Sequence, residues 1–327
     1  PVLCLRRKDQ APRKTTEPSL VCGRMFHRLL TALCLLSLTT YAQKAKKEKA
    51  PPPPLNDATV RHEVQLYKTT PQGELQIHFA FPQDWKATDK RPAIVFFFGG
   101  GWTSGSHRQF TAEADYFASR GLVAASADYR IASIHKTKPD KCVEDAKSAV
   151  RYLRGNAAKL GIDPDRIIAA GGSAGGHLAA CTATIEDFNA DTDDKSISAK
   201  PNALVLYNPA LNIDELAAAR GQADRIAEAE KITPNRFLTK ASPPAILFFG
   251  TDDRLIEGAH QYMEKAKALG LSAELWTAKD QPHGFFNRSP WAEVCVKRAD
   301  QFLTSLGYLT GEPSVKMPAD APALAKE

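Results

Sequence analysis

No apolar run in this 327-residue sequence approaches the roughly 20 residues that a bilayer-spanning helix needs, so no stable membrane anchor is expected. A surplus of charge is equally short. Lys and Arg outnumber Asp and Glu by 43 to 37, but the first 42 residues hold seven basic groups against two acidic ones, and Lys44, Lys46, Lys47 and Lys49 follow. Residues 50–327 are left slightly acidic, which excludes the basic footprint of a nucleic-acid-binding protein. Cysteine is sparse: of six, Cys4, Cys22 and Cys34 lie ahead of residue 43, leaving Cys142, Cys181 and Cys295. An odd number does not make a disulfide framework, and three small buried apolar side chains are expected, with room for one bridge at most. Metal-ligand spacing is missing as well. His62, His78, His107, His135 and His260 follow no ligand pattern, and Asp187, Asp191, Asp193 and Asp194 lack the glycine of a calcium loop. The reading therefore includes no metal and no cofactor.

What is present begins with a leader. Pro1–Arg24 is polar and basic, and Met25-Phe26-His27-Arg28 then opens onto Leu29–Thr39, an apolar run of signal-peptide length ending at Ala42. Residues 1–24 read as an upstream extension, 25–42 as a signal peptide with the mature chain starting near Gln43, and the compartment as secreted or periplasmic. Residues 43–57, Lys-rich and carrying Pro51–Pro54, read as a stiff linker.

From there the pattern is one of strands and helices. Val60–Tyr67 and Leu75–Phe79, split by Pro71 and Gly73, suggest an antiparallel pair at a sheet edge. Ala93–Phe98, Leu122–Ala127, Arg166–Ala170, Ala203–Tyr207, Ala245–Phe249 and Ala273–Trp276 are short apolar runs of the kind found in strands covered on both faces. Phe110–Ser119, Cys142–Leu160, Gly175–Thr184, Gly258–Leu269 and Trp291–Leu306 repeat apolar residues at helical spacing. Alternation of this kind predicts an α/β domain over 58–308 with a mainly parallel central sheet and helices on both faces. Residues 213–238 form a candidate lid, and 309–327 a tail expected to fray. Ligand sites in such sheets lie beyond the carboxyl ends of the strands.

That rim holds the chemistry. Gly171-Gly172-Ser173-Ala174-Gly175 follows a buried strand and precedes a helix, the setting of a serine held on a sharp turn between small neighbours. A serine hydroxyl is a weak nucleophile until a base takes its proton and an acid orients that base. The strand ending at Gly250 leads to Asp252 and Asp253, which local spacing does not separate, and Gln281-Pro282-His283-Gly284 supplies a histidine beyond the next strand. Gly99-Gly100-Gly101 ends a buried strand and can aim backbone N–H groups at a developing oxyanion; it lacks the Gly-Lys-Ser/Thr of a phosphate loop.

Gly99-Gly100-Gly101-Trp102, Asp128-Tyr129-Arg130, Glu144-Asp145, Gly161–Ile167, Gly172–Gly176 and His283-Gly284-Phe285 together resemble the hormone-sensitive-lipase-like branch of the α/β-hydrolase esterases, over about Arg91–Leu306. The resemblance implies Ser173 as nucleophile, Asp253 as acid and His283 as base. It implies oxyanion donors at the N–H groups of Gly100, Gly101 and Ala174. Phe98 stands where the family usually has histidine, Gly172 where it often has an acidic residue, and His177 where asparagine is common; the first and last resemble the secreted bacterial acetyl esterases and acetylxylan esterases. Trp102 and Phe285 are candidate substrate-pocket walls, and Arg130 with Glu144 and Asp145 a structural group. The expected activity is hydrolysis of short acyl, above all acetyl, esters of small-molecule or carbohydrate alcohols, with plant-type polysaccharides as candidate carriers. A small-peptide serine peptidase and a non-catalytic ligand-binding module on the same fold are the competing readings.

Overall fold

The computed structural model describes residues 54–327. The expected upstream extension, signal peptide and most of the linker lie outside the described residues.

Among the described residues, nine strands form one sheet in the order β1-β2-β4-β3-β5-β6-β7-β8-β9. β1 (Val60–Thr70) and β2 (Gly73–Pro82) are the antiparallel edge pair, and β2 also runs antiparallel to β4 (Val123–Ala127). β3 (Arg91–Phe97), β5 (Ile162–Gly172), β6 (Ala203–Tyr207), β7 (Ala245–Gly250) and β8 (Ala273–Ala278) continue in parallel with β4, and β9 (Ala325–Lys326) closes the far edge antiparallel to β8.

The apolar runs are continuous because each face of the sheet has its own core. Along β3, Ala93, Val95 and Phe97 point into one cluster with Val143, Val150, Leu178 and Tyr262. Ile94 and Phe96 point into the other, with Phe117, Val296 and Phe302. The first cluster is covered by α2 (Pro139–Gly155), α3 (Ala174–Thr184) and α6 (Ile256–Leu269), and the second by α1 (Thr111–Ser119) and α7 (Trp291–Ser305). The candidate lid folds as α4 (Ile213–Ala219), α5 (Ala223–Glu230) and a 3-10 turn at Pro234–Arg236. Cys142, Cys181 and Cys295 are buried free thiols.

Three boundaries differ from the sequence reading. The helix expected over 142–160 stops at Gly155, and a separate turn at Ala157–Leu160 follows Asn156, whose side chain bonds back to the Tyr152 carbonyl. The linker ends before Leu55, which is buried, and Asn56 Nδ2 donates to Ser119 Oγ at 2.7 Å. The tail expected to fray is docked: Val315 is buried, Lys316 N–H donates to the Leu55 carbonyl, and β9 pairs with Trp276 and Thr277. Its apolar residues are spaced by prolines, so no periodic signal marks them, yet Val315, Met317 and Leu324 all meet the second core.

Candidate active site

β5 delivers Ser173 to the carboxyl rim on a strained turn, with φ 54° and ψ −116°, a conformation costly for any side-chain-bearing residue and retained where the surroundings enforce it. The surroundings here are backbone. A Cβ on Gly175 would stand 1.9 Å from the Phe97 carbonyl oxygen, so α3 can start against β3 only if that residue is glycine. The turn is held by Ser173 N–H to the Tyr207 carbonyl at 2.8 Å and His177 N–H to the Ser173 carbonyl at 2.9 Å.

The loops after β7 and β8 bring the partners. His283 Nε2 lies 2.8 Å from Ser173 Oγ, and His283 Nδ1 lies 2.7 Å from Asp253 Oδ2. A carboxylate only accepts, so Nδ1 carries the proton and Nε2 turns its lone pair to the serine hydroxyl. Asp253 is separated from Asp252 by burial: its side chain is fully enclosed, whereas Asp252 is exposed. Oδ1 of Asp253 accepts from Leu255 N–H at 3.0 Å, and Oδ2 also accepts from Asn208 Nδ2 at 2.7 Å. The same asparagine accepts from Gly284 N–H at 3.2 Å, so one buried amide ties the acid to the histidine loop. Gly250 lets the two loops meet, because a Cβ there would stand 1.9 Å from the Gln281 carbonyl oxygen.

Beside the serine, Gly99 approaches so closely that a Cβ on it would touch Ser173 Cβ at 3.4 Å. The following bend is closed by Thr103 and Ser104 N–H groups donating to the Gly100 carbonyl, both at 3.1 Å. The N–H groups of Gly100 and Gly101 have no protein acceptor among the described residues, and Ala174 begins α3, where helix geometry leaves its N–H unpaired. Ala174 directly follows the serine and Gly100 and Gly101 directly follow Gly99, which borders it, so these three amides are the candidates to meet charge developing on a bound carbonyl oxygen. The loop does not rely on the residue in front of the glycines for a polar anchor. Phe98 stacks on Tyr129 with ring centroids 4.1 Å apart, and Tyr129 Oη donates to the Phe98 carbonyl at 2.7 Å. Gln109 Oε1 accepts from Gly99 N–H at 2.5 Å, and its Nε2 donates to Asn287 Oδ1 at 2.8 Å.

His177 is fully buried. Trp102 Nε1 donates to its Nδ1 at 3.1 Å, so its other nitrogen carries the proton and donates to the Ile232 carbonyl at 2.7 Å. Burial pulls its pKa down to about 4, against the small upward effect of the Ile232 bond, keeping it neutral. It links the glycine loop to the lid segment. Between them lies a cavity of about 730 Å³ walled by Gly101, Trp102, Phe188, Leu216 and Ile232, with Lys138, Asp140 and Asp224 among its polar groups.

Trp102 thus lines the cavity, and Phe285 does not. Phe285 is buried in the second core, edge-on to Phe286 and Trp291; its neighbour Gly284, at φ 81°, turns the chain so that both phenylalanines point under the sheet. Arg130 grips Asp145 through Nε and Nη2, both at 2.8 Å, while Lys68 Nζ donates to Asp145 at 2.7 Å, a buried structural group as expected. Asn208 and Gln109 belong to no motif in the sequence. A polar residue at the buried end of β6, immediately before Pro209, is the signal that marks Asn208. The structure also unites His78, His107 and Asp128, which nothing in their spacing foretells.

The sheet order, the crossovers and the serine turn define an α/β-hydrolase. Residues 79–267 match the BD-FAE family model, and the chain belongs to that family. It is similar to an acetylxylan esterase of Xylanibacter ruminicola, 26% identical over 88% of this chain and 55% of that protein. It is also similar to carboxylesterase NlhH of Mycobacterium tuberculosis, 28% identical over 61% of this chain and 68% of that protein. Among solved structures, the propionate-bound esterase of Thermogutta terrifontis is 41% identical over 77% of this chain and 96% of its own, with a TM-score of 0.73. The chain spans about half the length of several of the curated relatives it matches. No helix among the described residues is long and apolar enough to cross a membrane.

Proposed function

We propose that this protein is a secreted serine esterase that hydrolyses short acyl esters, acetyl above all, through Ser173, His283 and Asp253. The observation that carries the reading is the relay from Ser173 Oγ through both nitrogens of His283 to the enclosed Asp253. Ser173 Oγ attacks the ester carbonyl as its proton passes to His283 Nε2. Asp253 holds the imidazole and stabilises its cation, and the carbonyl oxygen turns negative against the N–H groups of Gly100, Gly101 and Ala174. His283 then protonates the departing alcohol, and the bond from the acyl carbon to that alcohol breaks. Water repeats the sequence on the acyl-serine, releasing the acid and restoring the hydroxyl.

The wall beside Gly101 favours an alcohol half carrying hydroxyl groups. Apolar surface from Trp102, Phe188 and Leu216 shares that cavity with Lys138, Asp140 and Asp224, a mixture suited to a sugar ring. The acetylxylan esterase relative supports acetylated polysaccharide as the carrier. Export rests on the sequence ahead of Gln43.

Fluorophosphonate labelling of wild type and Ser173→Ala tests the core of the reading. The wild type should be labelled stoichiometrically and the variant not at all, with p-nitrophenyl acetate turnover falling at least about a hundredfold. Labelling that persists in Ser173→Ala removes the mechanism. A panel of acetylated sugars against C4 to C12 esters tests the substrate class, and a preference for the long chains overturns it.

A further inference from the structure

We propose that His78, His107 and Asp128 bind one divalent transition-metal ion of the zinc type, which fastens the glycine loop to the sheet. The three come from separate elements. His78 lies on β2 opposite Ser126 of β4, Asp128 directly follows β4, and His107 opens the 3-10 turn His107–Phe110 beyond the glycine loop.

Their spacing fits ligands better than hydrogen-bond partners. His78 Nε2 stands 3.5 Å from Asp128 Oδ2, and His107 Nδ1 stands 3.4 Å from Asp128 Oδ1. All three ligand atoms fall within 4.8 Å of one another. A charge-assisted hydrogen bond closes to about 2.7–2.9 Å, and the chain makes such bonds elsewhere, at 2.7 Å for both His62 with Asp115 and His283 with Asp253. Bonds of about 2.0–2.1 Å to a tetrahedral ion set neighbouring ligands about 3.3 Å apart; each imidazole stands near that distance from its own Asp128 oxygen, and one ring moves toward the ligating oxygen as the ion binds. Two imidazole nitrogens and one carboxylate oxygen suit zinc and its neighbours. Side-chain exposures of 21%, 26% and 30% for His78, His107 and Asp128 leave a path for the ion and a fourth position for water.

The rings now stack with centroids 3.4 Å apart and planes 17° apart. An ion must lie near the plane of each ring, so binding turns them out of the stack until both lone pairs converge. What the ion would brace is visible in the neighbouring residues. Two positions after His107, Gln109 holds Gly99 N–H; one after Asp128, Tyr129 holds the Phe98 carbonyl. A bond from one ion to His107 and Asp128 would clamp both supports of the loop that carries Gly100 and Gly101.

The test is zinc titration of the EDTA-stripped full chain against a chromogenic chelator, alongside His107→Gln, Asp128→Asn and His283→Gln. Wild type and His283→Gln should each bind one equivalent, and zinc at a hundred times its Kd should raise Tm by about 5 °C. His107→Gln and Asp128→Asn should lose both effects while keeping a metal-free Tm close to that of stripped wild type, which excludes misfolding as the cause. Replacing zinc with Co²⁺ should give visible absorption of a tetrahedral centre in wild type and His283→Gln, and none in His107→Gln or Asp128→Asn. No saturable equivalent in wild type, retention of it in His107→Gln, or its loss in His283→Gln would each overturn the proposal.

Discussion

At the scale of single residues, the site turns on a strained serine, on which of two adjacent carboxylates is enclosed, and on the buried amide that holds it. The serine turn announces itself because its strain admits only small neighbours within two positions, and those neighbours are contiguous in sequence. Asp253 and Asp252 look alike along the chain; only burial, which depends on β6 and the His283 loop arriving from elsewhere, tells them apart. Asn208 shows locally as a polar residue at a buried strand end, but its role is hidden for the same reason. Its two bonds, to Asp253 and to Gly284 N–H, reach residues 45 and 76 positions away, so no window of sequence contains them. Asn208→Ala would leave an Asp253 oxygen short of a donor and free the His283 loop. Turnover of p-nitrophenyl acetate should fall about tenfold to a hundredfold with KM nearly unchanged, because the lost interaction orients the base and does not bind substrate. The measurement is a steady-state profile, and a change confined to KM would show that Asn208 serves binding.

At the scale of elements, strands and helices were readable because two cores, one per sheet face, force apolar runs on the strands and periodic stripes on the helices. Boundaries were less so. β5 begins at Ile162 and passes through Pro164, which has no N–H to give; the pairing with β3 shifts between Arg91 and Ala93 to accommodate it. The packing of α1 against α7 hides a titratable group with a consequence for stability. Glu113 on α1 is buried with Oε2 unpartnered. Burial raises its pKa to about 8, its own backbone bond lowers it somewhat, and the Glu293 and Asp115 charges raise it further. In the unfolded chain this carboxyl ionises near its ordinary value of 4.5, so between those values the folded state holds a proton that the unfolded state has lost. Stability therefore falls as pH rises from about 4.5 to 8. Glu113→Gln cannot ionise and should flatten that slope, gaining on wild type by up to a few kcal/mol by pH 8. Denaturant melts at pH 5 and pH 8 check it, and a gap between the proteins that stays the same at both pH values would show that Glu113 titrates normally.

At the scale of the whole molecule, the least legible features are the connections between distant regions. The tail returns to the second core through residues too few and too interrupted by proline to show a period, and His177 joins three regions through one ring. It sits on α3 and accepts from Trp102 of the glycine loop, while its other nitrogen donates to Ile232 at the end of the lid segment. All of this requires neutral imidazole, since protonation would turn the acceptor facing Trp102 into a second donor. Its folded pKa of about 4 lies below the ordinary imidazole value of 6.5, so between these values the unfolded chain takes up a proton that the folded chain refuses. The contribution is complete above pH 6.5 and is lost progressively as pH falls toward 4, amounting to at most about 3 kcal/mol. His177→Asn keeps a polar side chain without the titration. It should be less stable than wild type at pH 7, because a shorter amide cannot span both partners, but that gap should narrow steadily between pH 6.5 and 4.5. Denaturant midpoints measured at half-unit pH steps follow the gap, and one that stays constant across the window would place the acid sensitivity in another group.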